Sequence, residues 1–479
     1  MNGFETMMWR ANRIRPSPVL AIELLDSVPD WDRFVSVHQR AAAMLPRLRQ
    51  RVVEAPLGLG APHWSADPAF ELGFHVWRTS MCDGDGWAQL LERAARWAQD
   101  PFARARPPWE AVLCEGLPEG HSAYVIKMHH SLADGLGAAQ LLERLHSPTR
   151  ENHPDTPPHT VPATRTNGLG ALVGQLRHDL GIVPHILHAA GTGARDALTD
   201  PAGWVSRASR YGQSLYRTLS PPNASVSPLL AGRGLPWRFA TLDVALPGLR
   251  AAARANGATL NDAYLAALLG GYRRYHQALG APVPAVVPVG VPVSLRRPGE
   301  PSGGNRIAGA RFAGPVGVAD PAARVRAVAR LMRTARRDSG RDVLRLFAAA
   351  AARLPPALIA ALIAPLTAGN DLQAGLLPGP RGQRYLAGAK VRRVYPFAPL
   401  PGCPAMISMV AYRDLGCLGI NFDPAAFGEP EAFLACLREG FTEVAGPPTA
   451  ARIPQPARRP TRPLVAAGRP GPGQGGTPC

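Results

Sequence analysis

Two adjacent histidines, His129 and His130, close the apolar run that begins at Tyr124, and Asp134 and Gly135 follow four and five residues after the second. An imidazole with a pKa of ~6.5 can take a proton from a hydroxyl as that oxygen attacks a carbonyl, then hand it to the leaving group. The stretch YVIKMHHSLADGLG (124–137) therefore fits general-base acyl transfer directly between two bound partners. Other nucleophile systems are absent: there is no GxSxG elbow, no GxxxxGK[ST] phosphate loop and no strand-linked GxGxxG, because GPGQGG lies in the C-terminal tail. A metal site or two packed core histidines are the competing readings. Zinc would take a third and fourth ligand at closed spacing, and no nearby cysteine or histidine pattern supplies them, so no metal is expected.

The elements that must hold these groups are legible around them. SAYVIKMHH reads as a short strand, GLGAAQLLERLH has the spacing of an amphipathic helix, and SLAD is the turn between. Successive strand side chains face opposite ways, so only one of two imidazoles in the strand faces a given cavity. Tyr124, Ile126 and Met128 share a face with His130, and Val125 and Lys127 share one with His129; the alternation does not say which imidazole meets substrate. Asp134 stands where a helix N-cap would, and Gly135 permits close approach or a positive φ.

At 479 residues the chain exceeds what one core usually serves, so two domains or two halves of one fold are expected. Its 46% apolar and 18% charged residues are a globular balance. The formal charge is +18, yet Lys127 and Lys390 are the only lysines among 53 basic residues. The arginines are spread through helical stretches such as RVRAVARLMRTARR (324–337), without the aromatic interleaving of base readers, so no nucleic-acid partner is expected. They read as a solvated face first and as attraction for anionic lipid second. The six cysteines form no CxxC pair and no secretory h-region opens the chain, which points to a reducing cytoplasm. LPPALIAALIAPLTAGN (354–370) is charge-free but carries three prolines and falls short of the ~20 apolar residues of a spanning helix, so it is core or interfacial.

Along the chain, residues 1–146 form one α/β half, 147–236 a Pro-rich linker with crossover helices, 237–446 a second α/β half, and 447–479 a disordered basic Pro/Gly/Arg tail. In the second half RFATLDVAL and AVVPVGVPVSLR read as strands, with helices starting at Asn261 and running from Ala322 to Arg337. Thr259-Leu-Asn-Asp262 has the spacing of a capping box.

HHSLADG (129–135) resembles the HHxxxDG signature of the CoA-dependent acyltransferase superfamily, shared with chloramphenicol acetyltransferase and peptide-synthetase condensation domains. PHWSADPAFELGFHV (62–76), PPWEAVLCEGL (107–117), NDAYLAALLGGYRRY (261–275), PVSLR (292–296) and GGNRIAG (303–309) are similar, in order and spacing, to stretches of the bacterial wax ester synthase/diacylglycerol acyltransferase family. The resemblance implies an α/β fold of two chloramphenicol-acetyltransferase-like halves, mixed sheets with flanking helices around a central tunnel. It implies His130 as general base, with His129, Asp134 and Gly135 supporting. Trp109, Asn261, Asp262 and Arg296 then have structural or substrate-positioning roles, Trp109 as a core anchor and Arg296 as a buried partner for Asp134. The implied reaction moves a fatty acyl group from acyl-CoA, a co-substrate and not a bound cofactor, to diacylglycerol or a long-chain alcohol, peripherally at the cytoplasmic membrane face or a lipid inclusion. Another HHxxxDG acyltransferase, a condensation-type enzyme or a catalytically weak lipid-associated paralogue would share the signature. The chain departs from the family pattern at Gly375-Leu376, where a serine-asparagine pair commonly precedes VPGP, and at Pro108, which replaces a leucine.

Overall fold

Strand β1 (Pro18–Leu25), PVLAIELL, is apolar at nearly every position, the pattern of a strand covered on both faces. It is paired along both edges: β6 (Ser122–His129) runs antiparallel on one side, with Pro18 opposite His129, and β13 (Ala389–Phe397) antiparallel on the other. The computed structural model describes residues 1, 3–12, 16–54, 62–82, 84–133, 135–151, 226–234, 236–294, 307–337, 369–400 and 402–446, with Thr199, Asp200, Gly203, Ser209, Ala224 and Leu358 as isolated positions. Among these, the sheet built on β1 has the order β4 (Val76–Ser80), β5 (Trp109–Glu115), β6, β1, β13, β12 (Tyr385–Leu386), β7 (His146–Ser147). A second sheet has the order β10 (Ile307–Gly314), β9 (Val287–Ser294), β11 (Leu372–Pro378), β14 (Ala405–Tyr412), β15 (Leu415–Phe422), β8 (Arg238–Ala245). Both are mixed: β4 and β5 are parallel in the first, and β11 is parallel to β9 and β14 in the second. Strands β2 (Gln50–Val53) and β3 (His63–Ala66) pair separately. The α/β class with mixed sheets and helices stands as expected.

Each sheet has its own core, and helices complete it. In the first part these are α1 (Gly3–Ala11), α2 (Trp31–Met44), α3 (Trp87–Gln99) and α4 (Gly135–Leu145). In the second they are α5 (Leu246–Ala255), α6 (Leu260–Ala278), α7 (Pro321–Arg337) and α8 (Pro430–Ala445). The capping box expected at Thr259 is present: its hydroxyl accepts from the Asp262 backbone N–H, and the Asp262 carboxylate accepts from the Thr259 N–H at 2.8 Å. That closes the first turn of α6, whose next ten residues are buried.

The sequence division at residue 237 is crossed by the chain itself. Residues 385–397 belong by position to the second half, yet β12 and β13 complete the first sheet. The physical reason is the open edge of β1, an apolar strand that would otherwise present unpaired N–H and C=O groups. The crossing also locks the two sheets together. Asp243 on β8 takes the Arg393 guanidinium at 2.6 Å and the Tyr395 hydroxyl at 2.8 Å, and Phe239 stacks on Phe397 with ring centroids 4.2 Å apart. Gly419 on β15 meets β13 so closely that a Cβ there would lie 1.9 Å from the Pro396 carbonyl oxygen. Most of the expected linker and crossover, the whole tail from 447, and Asp134 and Arg296 lie outside the described residues.

Candidate active site

The strand that carries the histidine pair ends one residue earlier than its apolar pattern suggests. β6 runs to His129, and His130 is the first residue of the turn that follows. The turn is fixed by backbone hydrogen bonds on both sides: His129 N–H donates to Pro108 O at 2.9 Å, His130 N–H to Ser17 O at 3.0 Å, and Leu132 N–H back to His129 O at 2.8 Å. His130 is thus released from strict alternation and is half-buried, whereas His129 is fully buried.

The two imidazoles sit in opposite environments. Ser131 donates its backbone N–H to His129 Nδ1 at 3.1 Å, and its hydroxyl lies 2.8 Å from the same nitrogen. Because an N–H can only donate, Nδ1 carries no proton and the ring is neutral with its hydrogen on Nε2. Burial, then the neighbouring His130 and Arg104, push the His129 imidazole down to about 3. Trp9 and Phe102 meet it edge-on, with ring centroids at 5.1 and 6.1 Å. His129 therefore works as the template of a turn: its acceptor nitrogen folds the backbone at Ser131 so that His130 is presented.

Beneath His129, on the same face of β6, lies Lys127, whose side chain is fully buried. Its ammonium is 3.2 Å from Glu110 Oε2 and 3.0 Å from Asp100 O, over the rings of Phe102 at 4.5 Å and Trp97 at 5.2 Å. Trp97 Nε1–H donates to the same Glu110 oxygen at 2.9 Å. Desolvation lowers the Lys127 pKa, and Glu110 opposes that. On the other face Tyr124 is held by His38, which donates Nδ1–H to Phe34 O at 2.8 Å and accepts the phenol proton at Nε2 at 2.9 Å. Burial pushes His38 down to about 4.

The remaining sequence candidates divide clearly. Trp109 is the core anchor expected of it: 1% exposed, stacked on His75 at 4.7 Å, donating Nε1–H to Leu48 O at 2.8 Å, and paired with Met128 across β5 and β6. Asp262 belongs to the helix cap, and Asn261 is half-buried beside it. Gly135 begins α4 against Leu377 of β11: a Cβ there would come within 2.7 Å of Leu377 Cδ2. The structure thus sets the departing Gly375-Leu376 segment beside the start of the motif helix. A Cβ on Gly375 would meet Pro292, Met406 and Ser408 only at 3.5–3.7 Å, which leaves room for a small side chain. Asp134 and Arg296 cannot be placed, being outside the described residues. Sequence reasoning missed Ser131 and the Lys127 cluster; the signal for the second was Lys127 itself, one of two lysines in an arginine-rich chain. Among the described residues no group of three or more His, Cys, Asp and Glu side chains is arranged to hold a metal ion, and no helix is long and apolar enough to cross a membrane.

Comparison with known proteins bears on this arrangement. A family profile described as the wax ester synthase/diacylglycerol acyltransferase catalytic domain matches residues 2–264, and the corresponding C-terminal domain matches residues 303–445. A putative diacylglycerol O-acyltransferase of Mycobacterium tuberculosis is 35% identical over 438 residues, 91% of this chain and 89% of that protein. The wax ester synthase/diacylglycerol acyltransferase of Marinobacter aquaeolei superposes with a TM-score of 0.60 at 21% identity, covering 93% of this chain and 99% of that one. The first condensation domain of the CDA synthetase superposes at 0.59 and 17%, covering 93% and 96%, a likeness of fold.

Proposed function

The chain belongs to the wax ester synthase/diacylglycerol acyltransferase family, and from that membership we propose that it transfers a fatty acyl group from acyl-CoA to the free hydroxyl of diacylglycerol, forming triacylglycerol. Long-chain alcohols are the second acceptor class and yield wax esters by the same chemistry. His130 is the general base. It takes the acceptor's hydroxyl proton, the oxygen attacks the thioester carbonyl, and the tetrahedral intermediate collapses by breaking the C–S bond. The departing CoA sulfur receives the proton from the imidazolium. No acyl-enzyme forms and no resident cofactor is needed; acyl-CoA and the acceptor are the partners. Because the acyl chains and the acceptor partition into lipid, the enzyme works peripherally, at the cytoplasmic membrane face or on a lipid inclusion.

The observation that carries this reading is the contrast between the two imidazoles. His129 is sealed, neutral and committed to the backbone of Ser131, while His130 stands in the turn with part of its surface open. Free thiol released from palmitoyl-CoA, measured with diacylglycerol, hexadecanol or no acceptor, tests it. Release should depend on an acceptor hydroxyl, and His130→Ala should lower turnover by roughly 10²–10⁴-fold while melting like the parent protein. A folded His130→Ala variant with near-normal turnover would overturn the role of His130, and acceptor-independent release would overturn acyl transfer.

A further inference from the structure

Helix α7 (PAARVRAVARLMRTARR) carries six arginines and no acidic residue. Arg324 is used internally: fully buried, it donates to Ala266 O at 2.9 Å and pairs with Glu443. Val325, Val328, Ala329 and Met332 form the helix's buried face. Arg326, Arg330 and Arg333, spaced four and three residues apart, fall on one opposite stripe and are exposed. Asp320 lies 3.9 Å from Arg326, and among the described residues no carboxylate is within ion-pair distance of Arg330 or Arg333. The neighbouring α5 continues the same sign. Arg326 donates to Asn256, the residue that caps α5, and two and six residues back along that helix stand Arg254 and Arg250, both exposed, again with no acid in the helix.

A face kept charged only for solubility mixes signs, and other exposed faces of this molecule do. On α3, Arg96 pairs with Glu92 and Arg93 with Asp85; on α8, Arg438 stands beside Glu439. The α7 face is therefore different in kind, and the sequence beyond it is too. LPPALIAALIAPLTAGN (354–370), which follows α7 after sixteen residues, is charge-free, and its one described residue before the last two, Leu358, is 54% exposed. A one-sign basic helix followed, sixteen residues on, by an apolar run too short to span is the composition of a region that docks on a lipid surface. Nucleic acid would be served by the charge but not by the apolar run.

We propose that the arginine stripe Arg326–Arg330–Arg333 of α7, with the exposed arginines of α5, is a docking surface for anionic lipid. It holds the second sheet's outer helices against the membrane or inclusion from which the acceptor is drawn. The identity of the partner as lipid rests on the function proposed above; the charge asymmetry does not. Arginine guanidinium groups engage the phosphodiesters, an attraction screened by salt.

The test is co-sedimentation of the full chain with phosphatidylglycerol/phosphatidylcholine vesicles and with pure phosphatidylcholine vesicles, at low salt. R326Q/R330Q/R333Q should weaken partitioning onto the anionic vesicles by about a hundredfold. A control removing the same charge elsewhere, R96Q/R392Q/R438Q, should change it little, and R326K/R330K/R333K should restore it. Turnover on detergent-dispersed acyl-CoA and diacylglycerol should be unchanged in all three. Equal losses in stripe and control variants would mean that only net charge matters and would overturn the proposal. So would parental binding by the stripe variant, or tighter salt-dependent binding to duplex DNA than to vesicles. If the parent protein binds anionic vesicles through the stripe yet shows no turnover on dispersed substrate, the acyltransferase reading fails while the docking surface stands.

Discussion

At the start of α6, Thr259 and Asp262 satisfy one another across three residues, a carboxylate and a hydroxyl closing a helix end. In the turn that leads into α4 an imidazole, His129, accepts from Ser131 and leaves its own Nε2–H buried with no partner among the described residues. The first junction draws on chemistry any helix can use, although Asp262 Oδ1 is likewise buried with no partner among the described residues. The second holds a titratable ring in the uncharged form, and that is costly unless its neighbour, His130, has a use for the position. What sets the second junction apart is a titratable ring held uncharged next to a second, partly open imidazole.

Acid should separate the two junctions most. His129 and His38, pushed by burial down to about 3 and about 4 from the ordinary 6.5, bind protons in the unfolded chain before the folded one can. His75 is lowered by burial in the same sense. Their contribution is present above pH 6.5 and lost as pH falls toward 4, about 1.4 kcal/mol per pH unit for each proton. Asp371, raised by burial to about 6 from 3.8, acts oppositely, its contribution being present below 3.8 and lost as pH rises through 6. Urea midpoints should therefore fall from pH 7 to pH 4.5, more steeply below pH 6 where the unfolded imidazoles are almost fully protonated, and Asp371→Asn, which removes the opposing carboxyl, should steepen that limb further. A midpoint that stays constant over the range would contradict neutral burial of the histidines.

Substitution at the imidazole comes next. His129→Ala strands the Ser131 N–H and opens a gap against Trp9 and Phe102, for a loss of about 3 kcal/mol and a fall in turnover with it. His129→Asn, which keeps a short acceptor for the same N–H, should recover part of the turnover. Equal activity in both variants would show that the turn does not depend on the acceptor.

Lys127→Arg keeps the charge but enlarges the head between Phe102, Trp97 and Glu110, so about 1–3 kcal/mol of stability should be lost. A melting curve unchanged by this swap would mean that the lysine is a compositional accident. Smallest is Thr259→Ala, which should cost about 1 kcal/mol and leave turnover per folded molecule intact. Reduced turnover there would give the α6 junction a part in the reaction.

Local patterns were the readable part of the sequence. The strand–turn–helix around His130, the capping box at Thr259 and the helix to Arg337 each follow from periodicity or spacing within a few residues. The orientation of His129 was not legible, because the turn begins at His130 and ends the alternation that would have oriented the pair. Nor was the Lys127 cluster, since Glu110, Asp100 and Phe102 approach it from other elements. The crossing of β13 into the first sheet depends on which edge is open, a property of the assembled fold and not of the strand's own residues.

That crossing has a consequence for synthesis. β1 leaves the ribosome early, but the strand that covers its second edge, β13, follows roughly 360 residues later, an interval of about 20–70 s at ~5–20 residues per second. Through that interval the nascent chain carries β1 and β6 as an incomplete sheet with an apolar strand at its margin, open to pairing with neighbouring chains. Yield in a heterologous host should thus be governed by chaperone supply and elongation rate more than by the stability of the finished protein, and a first half made without the second would lack the strand that covers the second edge of β1.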